Sequence, residues 1–313
     1  MTRPHVLLPA PMLDSVETAM SSRFVVHHLR RQADPDAYVA AIGSGVRALA
    51  VSGAAGRIDA SWFDRLPALE IVANFGVGYD AIDVAEATRR GIVVTNTPGV
   101  LNEEVADLTV GLLLATVRRI PQADRFVREG CWSTRSFPLS PTLRGRRVGI
   151  LGLGAIGRAV ARRLEAFDVP ISYHGRSRQD VRYEYRPSAM ALAEACDVLL
   201  VLVPGGVATT GLVDEAVLAA LGTCGILINV SRGSTVDQTA LVAALQRGTI
   251  AAAGLDVFAD EPHVPPELCA MGNVVLLPHI GSATDQTRDA MGRLVVNNLA
   301  SWFAGNGPVS PVC

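Results

Sequence analysis

An arginine, a glutamate and a histidine stand in three separate loops of this chain, each just after an apolar run. Arg232 lies in INVSRGSTVD, Glu261 follows AGLDVF in Asp260-Glu261-Pro262, and His279 closes VVLLPHIGSAT. Each residue type suits one part of a carbonyl reduction. A guanidinium grips a carboxylate through two parallel hydrogen bonds and can also reach the adjacent carbonyl oxygen. An imidazole titrates near neutrality and can deliver a proton. A glutamate on its other ring nitrogen orients the ring and favours its charged form. Together they supply what hydride reduction of a 2-keto acid asks of a protein, provided the fold brings the loops together.

A hydride donor has a candidate site as well. Residues 147–158 read RVGILGLGAIGR, an apolar run followed by Gly152, Gly154 and Gly157. Ile156, Val160, Leu164 and Phe167 then recur on one helical face, so the glycines fall between a strand and a helix start. In that context the first glycine permits a tight turn. The second lets the backbone approach a pyrophosphate, and the third lets helix and strand pack closely. Free N–H groups at the helix N-terminus then hold phosphate oxygens. About 20 residues on, where an NAD site carries an acid for the ribose hydroxyls, this chain reads Tyr173-His174-Gly175-Arg176-Ser177-Arg178. An acid there repels a 2′-phosphate, whereas guanidinium groups offer it charge-assisted hydrogen bonds. The expected cofactor is NADP(H), with NAD(H) the lesser alternative.

Strand and helix patterns alternate around these loops. HVLLPA, RFVVHHL, VRALAVSG, LEIVANFG and GIVVTNTP read as strands, with helices around residues 15–21, 35–42, 59–66 and 81–90. Asn74 to Asp80 (NFGVGYD) forms a glycine-rich loop at a strand end, where exposed backbone N–H groups can bind an anion. Asn102 is expected to cap a long apolar helix, with Glu103 and Glu104 in its first turn, Arg118 and Arg119 in its last, and Pro121 after its end. This helix is expected to link two domains. Beyond it, six strands with intervening helices or connections predict a doubly wound nucleotide-binding domain, placing Arg232, Glu261 and His279 at its carboxyl edge. A final helix over 284–304 is expected to pack back on the N-terminal part.

Composition narrows the function classes. The chain has 313 residues, 49% of them hydrophobic and 19% charged, which predicts a sizeable core and two domains. A net charge of −2 gives no support to nucleic-acid binding. No window approaches the ~18 apolar residues of a membrane span, and the N-terminus does not read as a secretory signal. The five cysteines, Cys131, Cys196, Cys224, Cys269 and Cys313, are scattered, as are the six histidines. That argues for a reducing, cytoplasmic setting without a disulfide framework or metal site.

The ordered set FGVGYDAID, GIVVTNTPG, VADLTVGLLLA, GILGLGAIG, LINVSRGSTVD, AGLDVFADEP and LLPHIGSAT strongly resembles the D-isomer-specific 2-hydroxyacid dehydrogenases over nearly the whole chain. The resemblance implies an α/β protein of two doubly wound parallel-sheet domains, with a Rossmann coenzyme domain (101–284) inserted into a flavodoxin-like substrate domain (1–100 and 285–313). It puts the family's catalytic arginine, glutamate and histidine on Arg232, Glu261 and His279. The carboxylate-binding loop falls on Val77 and Gly78, acting through backbone N–H, with Arg232 and His279 also touching substrate. The implied cofactor-binding set is Gly152, Leu153, Gly154, Ala155, Ile156, Gly157, Arg176, Ser177, Arg178, Val203, Pro204, Thr209, Val230, Arg232, Asp256, His279, Gly281 and Thr109. Asp256 would face the nicotinamide carboxamide.

Within the family, YHGRS and the short terminal region look like the NADPH-preferring glyoxylate/hydroxypyruvate reductases, which implies a homodimer. Glu261 in place of glutamine argues against the family's formate dehydrogenases. Pyruvate, 2-ketogluconate and phosphoglycerate types remain as alternatives, as does a non-catalytic dinucleotide-sensing protein.

Overall fold

The computed structural model describes residues 3–312, so Cys313 lies outside the described residues. The chain divides into two compact units, Met1–Leu101 with Ala283–Cys313, and Asn102–Ser282.

The first unit holds five strands, β1 (His5–Leu8), β2 (Val25–His28), β3 (Val46–Val51), β4 (Ile71–Asn74) and β5 (Val93–Thr95). They pair in parallel in the order β2-β1-β3-β4-β5, the flavodoxin-like arrangement. Helices α1 (Asp14–Ser21), α2 (Pro35–Ile42), α3 (Ala60–Arg65) and α4 (Val84–Arg89) connect them. Because side chains alternate across a strand, Leu7, Leu49, Val72 and Val94 enter one core, whereas Val6, Ala48, Ile71 and Ala73 enter another. Both faces are therefore covered, which is why these strands read as unbroken apolar runs. Three of the helices start on an aspartate, Asp34, Asp59 or Asp83, whose carboxylate accepts a first-turn N–H.

The second unit opens with α5 (Asn102–Arg118) and α6 (Ile120–Arg128). Its sheet comprises β6 (Val148–Leu151), β7 (Ile171–His174), β8 (Glu184–Tyr185), β9 (Val198–Val201), β10 (Ile226–Asn229), β11 (Ala252–Leu255) and β12 (Val274–Leu276). All pair in parallel in the order β12-β11-β10-β9-β6-β7-β8, so strand order reverses between β6 and β9. Helices α7 (Ala155–Leu164), α8 (Ala189–Glu194), α9 (Glu215–Leu221), α10 (Gln238–Arg247) and α11 (Pro266–Ala270) lie between strands. The last helix, α12 (Asp285–Phe303), belongs to the first unit and buries Val295, Val296 and Leu299 in the core beneath β1, β3 and β4.

Three details differ from the sequence reading. The second sheet has seven strands, because β8 is only two residues long and half polar. Pro121 does not end the helical stretch. Arg119 takes a left-handed backbone (φ 55°) that separates α5 from α6, and Pro121 sits in the first turn of α6, where its missing N–H costs nothing. Asn102 is itself the first residue of α5 rather than the residue before it.

No described helix is long and apolar enough to cross a membrane. Cys131, Cys196, Cys224 and Cys269 are free thiols, and no described group of three or more His, Cys, Asp or Glu side chains is arranged to hold a metal ion.

Candidate active site

The three strands that carry the candidate residues are neighbours, in the order β12-β11-β10. Parallel pairing puts their carboxyl ends on one edge, so the loops bearing Arg232, Glu261 and His279 leave the sheet side by side. Buried Asn229, the last residue of β10, shapes the first loop. Its Nδ2 donates to Arg232 O (3.0 Å), and its Oδ1 accepts from Ser231 N and Oγ (3.0 and 2.9 Å). Thr235 Oγ1 donates a second bond to Arg232 O at 2.6 Å. The loop also passes directly against the next one. A Cβ on Gly233 would stand 1.9 Å from the Phe258 carbonyl carbon, so only glycine allows this approach. That contact brings Arg232 near enough for its charge to act on Glu261.

Glu261 is held from both sides. Its Oε1 accepts the Phe258 N–H (3.0 Å) and its Oε2 accepts His279 Nδ1 (2.6 Å). Burial works to raise its pKa. The hydrogen bonds from His279 and Phe258, with the charges of His279 and Arg232, outweigh burial and hold the carboxyl below its ordinary range. A carboxylate only accepts, so Nδ1 carries the proton and Nε2 takes no part in this bond, on a side chain that is 45% exposed.

His279 itself has a left-handed backbone (φ 54°), a conformation costing a non-glycine residue about 1–3 kcal/mol. Asp256 fixes it there. Its buried carboxylate accepts the N–H groups of the next two residues, Ile280 (2.7 Å) and Gly281 (2.8 Å). Burial raises the Asp256 pKa, and these N–H bonds counter it only in part. Asp256, expected to face a nicotinamide, thus has both oxygens engaged in shaping the histidine turn.

The glycine loop sits where strand order reverses. Gly152 has φ 106°, and a Cβ there would lie 2.8 Å from the Leu202 carbonyl. At Gly157 a Cβ would come within 2.2 Å of Gly152 O, so α7 packs directly on the end of β6. Gly154, at the start of α7, has open space around it. The first-turn N–H groups of Ala155 and Ile156 are thus presented for an anion, flanked by buried Leu153. At the end of β7, His174 Nδ1 bonds to Arg186 O (2.8 Å). Arg176, Ser177 and Arg178 follow, all exposed.

The sequence reading missed Gln179, which ties this basic loop to the glycine loop. Its Nε2 donates to Leu153 O (3.0 Å), its Oε1 accepts from Arg158 (2.5 Å), and its N–H donates to the buried Tyr173 hydroxyl (2.6 Å). Asn229 and Gly233 were missed as well. The only available signal was their place beside Arg232.

Val203 and Val230 are buried at the ends of β9 and β10, and Pro204 is exposed. Thr209 Oγ1 donates to Pro204 O (2.6 Å). Thr109 is wholly buried on α5 and gives its hydroxyl proton to Val105 O. In the first unit, the loop after β4 leaves the N–H groups of Val77 and Gly78 without a partner among the described residues, and the side chains of Asn74 and Asn96 hold its carbonyls.

The chain is similar to known proteins over its whole length. The sequence model of the D-isomer specific 2-hydroxyacid dehydrogenase NAD-binding domain matches residues 110–281. Glyoxylate/hydroxypyruvate reductase A of Arabidopsis thaliana is 44% identical over 308 residues, covering 98% of each chain. The hydroxyphenylpyruvate reductase of Plectranthus scutellarioides is 45% identical over the same length, again covering 98% of each. Among solved structures, the NADPH-dependent glyoxylate/hydroxypyruvate reductase of Sinorhizobium meliloti, in complex with NADP and malonate, superposes with a TM-score of 0.95 at 51% identity. It covers 100% of this chain and 97% of that one.

Proposed function

Because this chain belongs to the D-isomer-specific 2-hydroxyacid dehydrogenase family, we propose that it reduces glyoxylate or hydroxypyruvate to glycolate or D-glycerate with NADPH. The observation that carries the reading is the 2.6 Å bond from His279 Nδ1 to Glu261, with Arg232 on the adjoining loop.

Arg232 grips the substrate carboxylate and polarises the ketone. His279, held by Glu261, delivers its Nε2 proton to the carbonyl oxygen as the alcohol forms. Glu261 keeps its charge near neutral pH and holds the ring by Nδ1, which leaves Nε2 for that transfer. Asp256 holds the histidine turn. The unpaired Val77 and Gly78 N–H groups of the first unit are offered to a carboxylate, which makes that unit the substrate domain.

The second unit is the coenzyme domain. When bound, the dinucleotide supplies the hydride. The residues present fit its phosphates, with the Ala155 and Ile156 N–H groups for the pyrophosphate and Arg176, Ser177 and Arg178 for a 2′-phosphate. No acid stands at His174 to repel that phosphate. The relative crystallised with NADP supports the same preference. A homodimer in the cytoplasm completes the reading, and light scattering tests the dimer.

A panel of 2-keto acids, including hydroxyphenylpyruvate, pyruvate and 2-ketogluconate, assayed with NADPH and NADH and ranked by kcat/KM, tests the assignment. Preference for glyoxylate or hydroxypyruvate with NADPH is expected. Absence of any NADPH oxidation would point instead to a non-catalytic, dinucleotide-sensing protein.

A further inference from the structure

In the loop after β4, each carbonyl from Gly76 to Gly78 is tied down while the N–H groups of Val77 and Gly78 stay unpaired. Asn74 Nδ2 donates to Gly76 O (3.1 Å) and Gly78 O (2.9 Å), and the Thr97 N–H adds a second bond to Gly76 O at 3.0 Å. Asn96 Nδ2 donates to Val77 O at 2.9 Å. In a trans peptide the carbonyl and the following N–H point in opposite directions. Holding Gly76 O therefore aims the Val77 N–H, and holding Val77 O aims the Gly78 N–H.

Asn96 is itself clamped by the C-terminal tail. Its N–H donates to Ser310 O (3.3 Å), and its carbonyl accepts Ser310 Oγ (2.7 Å). Ser310 in turn rests on Asn298 of α12, a wholly buried amide whose hydrogen-bonding capacity is fully used. Asn298 Nδ2 donates to Leu294 O and Ser310 Oγ, and its Oδ1 accepts from Val309 N and Ser310 N, all at 2.9 Å. The Val312 N–H donates to Val94 O, zipping the tail to β5.

The geometry points to Asn96 as a positioning residue for substrate-carboxylate binding, braced by Ser310 of the C-terminal tail. It acts by orienting the Gly78 N–H and touches no substrate. This inference rests on the reading that the Val77–Gly78 loop binds the carboxylate.

Asn96→Ala and Ser310→Ala in the full-length enzyme test it. Asn96→Ala should raise the KM for glyoxylate about fivefold to tenfold, the effect of one misdirected hydrogen bond. Both kcat and the KM for NADPH should stay near wild type, and Ser310→Ala should give a smaller rise of the same kind. A purely structural defect would instead lower the thermal midpoint or kcat and leave KM alone. Unchanged KM in folded Asn96→Ala overturns the inference, and if that variant does not fold, Ser310→Ala decides in the same way.

Hydrogen–deuterium exchange of the wild-type loop, with NADPH and oxalate bound, separates the two levels. Oxalate that leaves exchange at residues 75–79 unchanged refutes the loop reading and the inference with it. Protection of the wild-type loop, combined with wild-type KM in both variants, refutes the inference alone.

Discussion

His279 Nδ1 donates to Glu261 Oε2 across 2.6 Å, and this bond decides which ring nitrogen remains to meet a substrate. Two loops from adjacent strands make the pair, and Asp256, just after β11, holds the histidine's left-handed backbone by accepting the N–H groups of Ile280 and Gly281. The orientation of the ring, which in the proposed reaction leaves Nε2 for the substrate, is thus set by the backbone as well as by the side chains.

Glu261→Gln keeps the shape of this pair but removes its charge. Reduction should fall about 10²-fold, the lower end of the usual range for impaired acid–base catalysis. Wild-type and variant kcat/KM for glyoxylate check this, and an unimpaired variant would contradict it.

The same carboxylate makes stability depend on pH. Its folded pKa lies below the ordinary value of 4.5, so its stabilising contribution is complete above that pH and is lost as pH falls through the lowered folded value. The thermal midpoint of wild type should exceed that of Glu261→Gln near neutrality. The gap should close in the acid range below pH 4.5.

Arg176→Ala and Arg178→Ala test the cofactor preference. If each arginine gives a charge-assisted hydrogen bond to a 2′-phosphate, as proposed, the KM for NADPH should rise about tenfold or more. NADH carries no such phosphate, and its KM should hardly move. Equal effects on both cofactors would remove these arginines from phosphate recognition.

Gly233→Ala would push a methyl group into the Phe258 carbonyl. Forcing the two loops apart should cost about 1–3 kcal/mol and move Arg232 away from the Glu261 loop. Circular dichroism melting and kcat/KM for glyoxylate should fall together. A variant with wild-type melting and activity would show that this close approach is dispensable.

Much of this arrangement is legible in the amino-acid sequence alone. Unbroken apolar strands such as ILIN and VGIL announce a sheet covered on both faces, and the Gly152–Gly157 spacing marks the crossing of strand and helix. Arg232, Glu261 and His279 could be found because each follows a buried strand. What stayed hidden depends on contacts between segments distant in sequence. β8 is too short and polar to show a period, and Pro121 reads as a helix stop although it opens the next helix. Gln179 looks like any loop glutamine until Leu153 and Arg158 lie beside it. Asn298 and Ser310 acquire meaning only once the tail has folded onto β5.

The central claim is that His279 delivers the proton when NADPH reduces glyoxylate, and initial rates of NADPH oxidation by wild type and His279→Ala test it most directly. Turnover should drop ~10²–10⁴-fold in the variant, with NADPH affinity nearly intact. Undiminished turnover in His279→Ala, or a wild-type protein that oxidises no NADPH with glyoxylate or hydroxypyruvate, would contradict it.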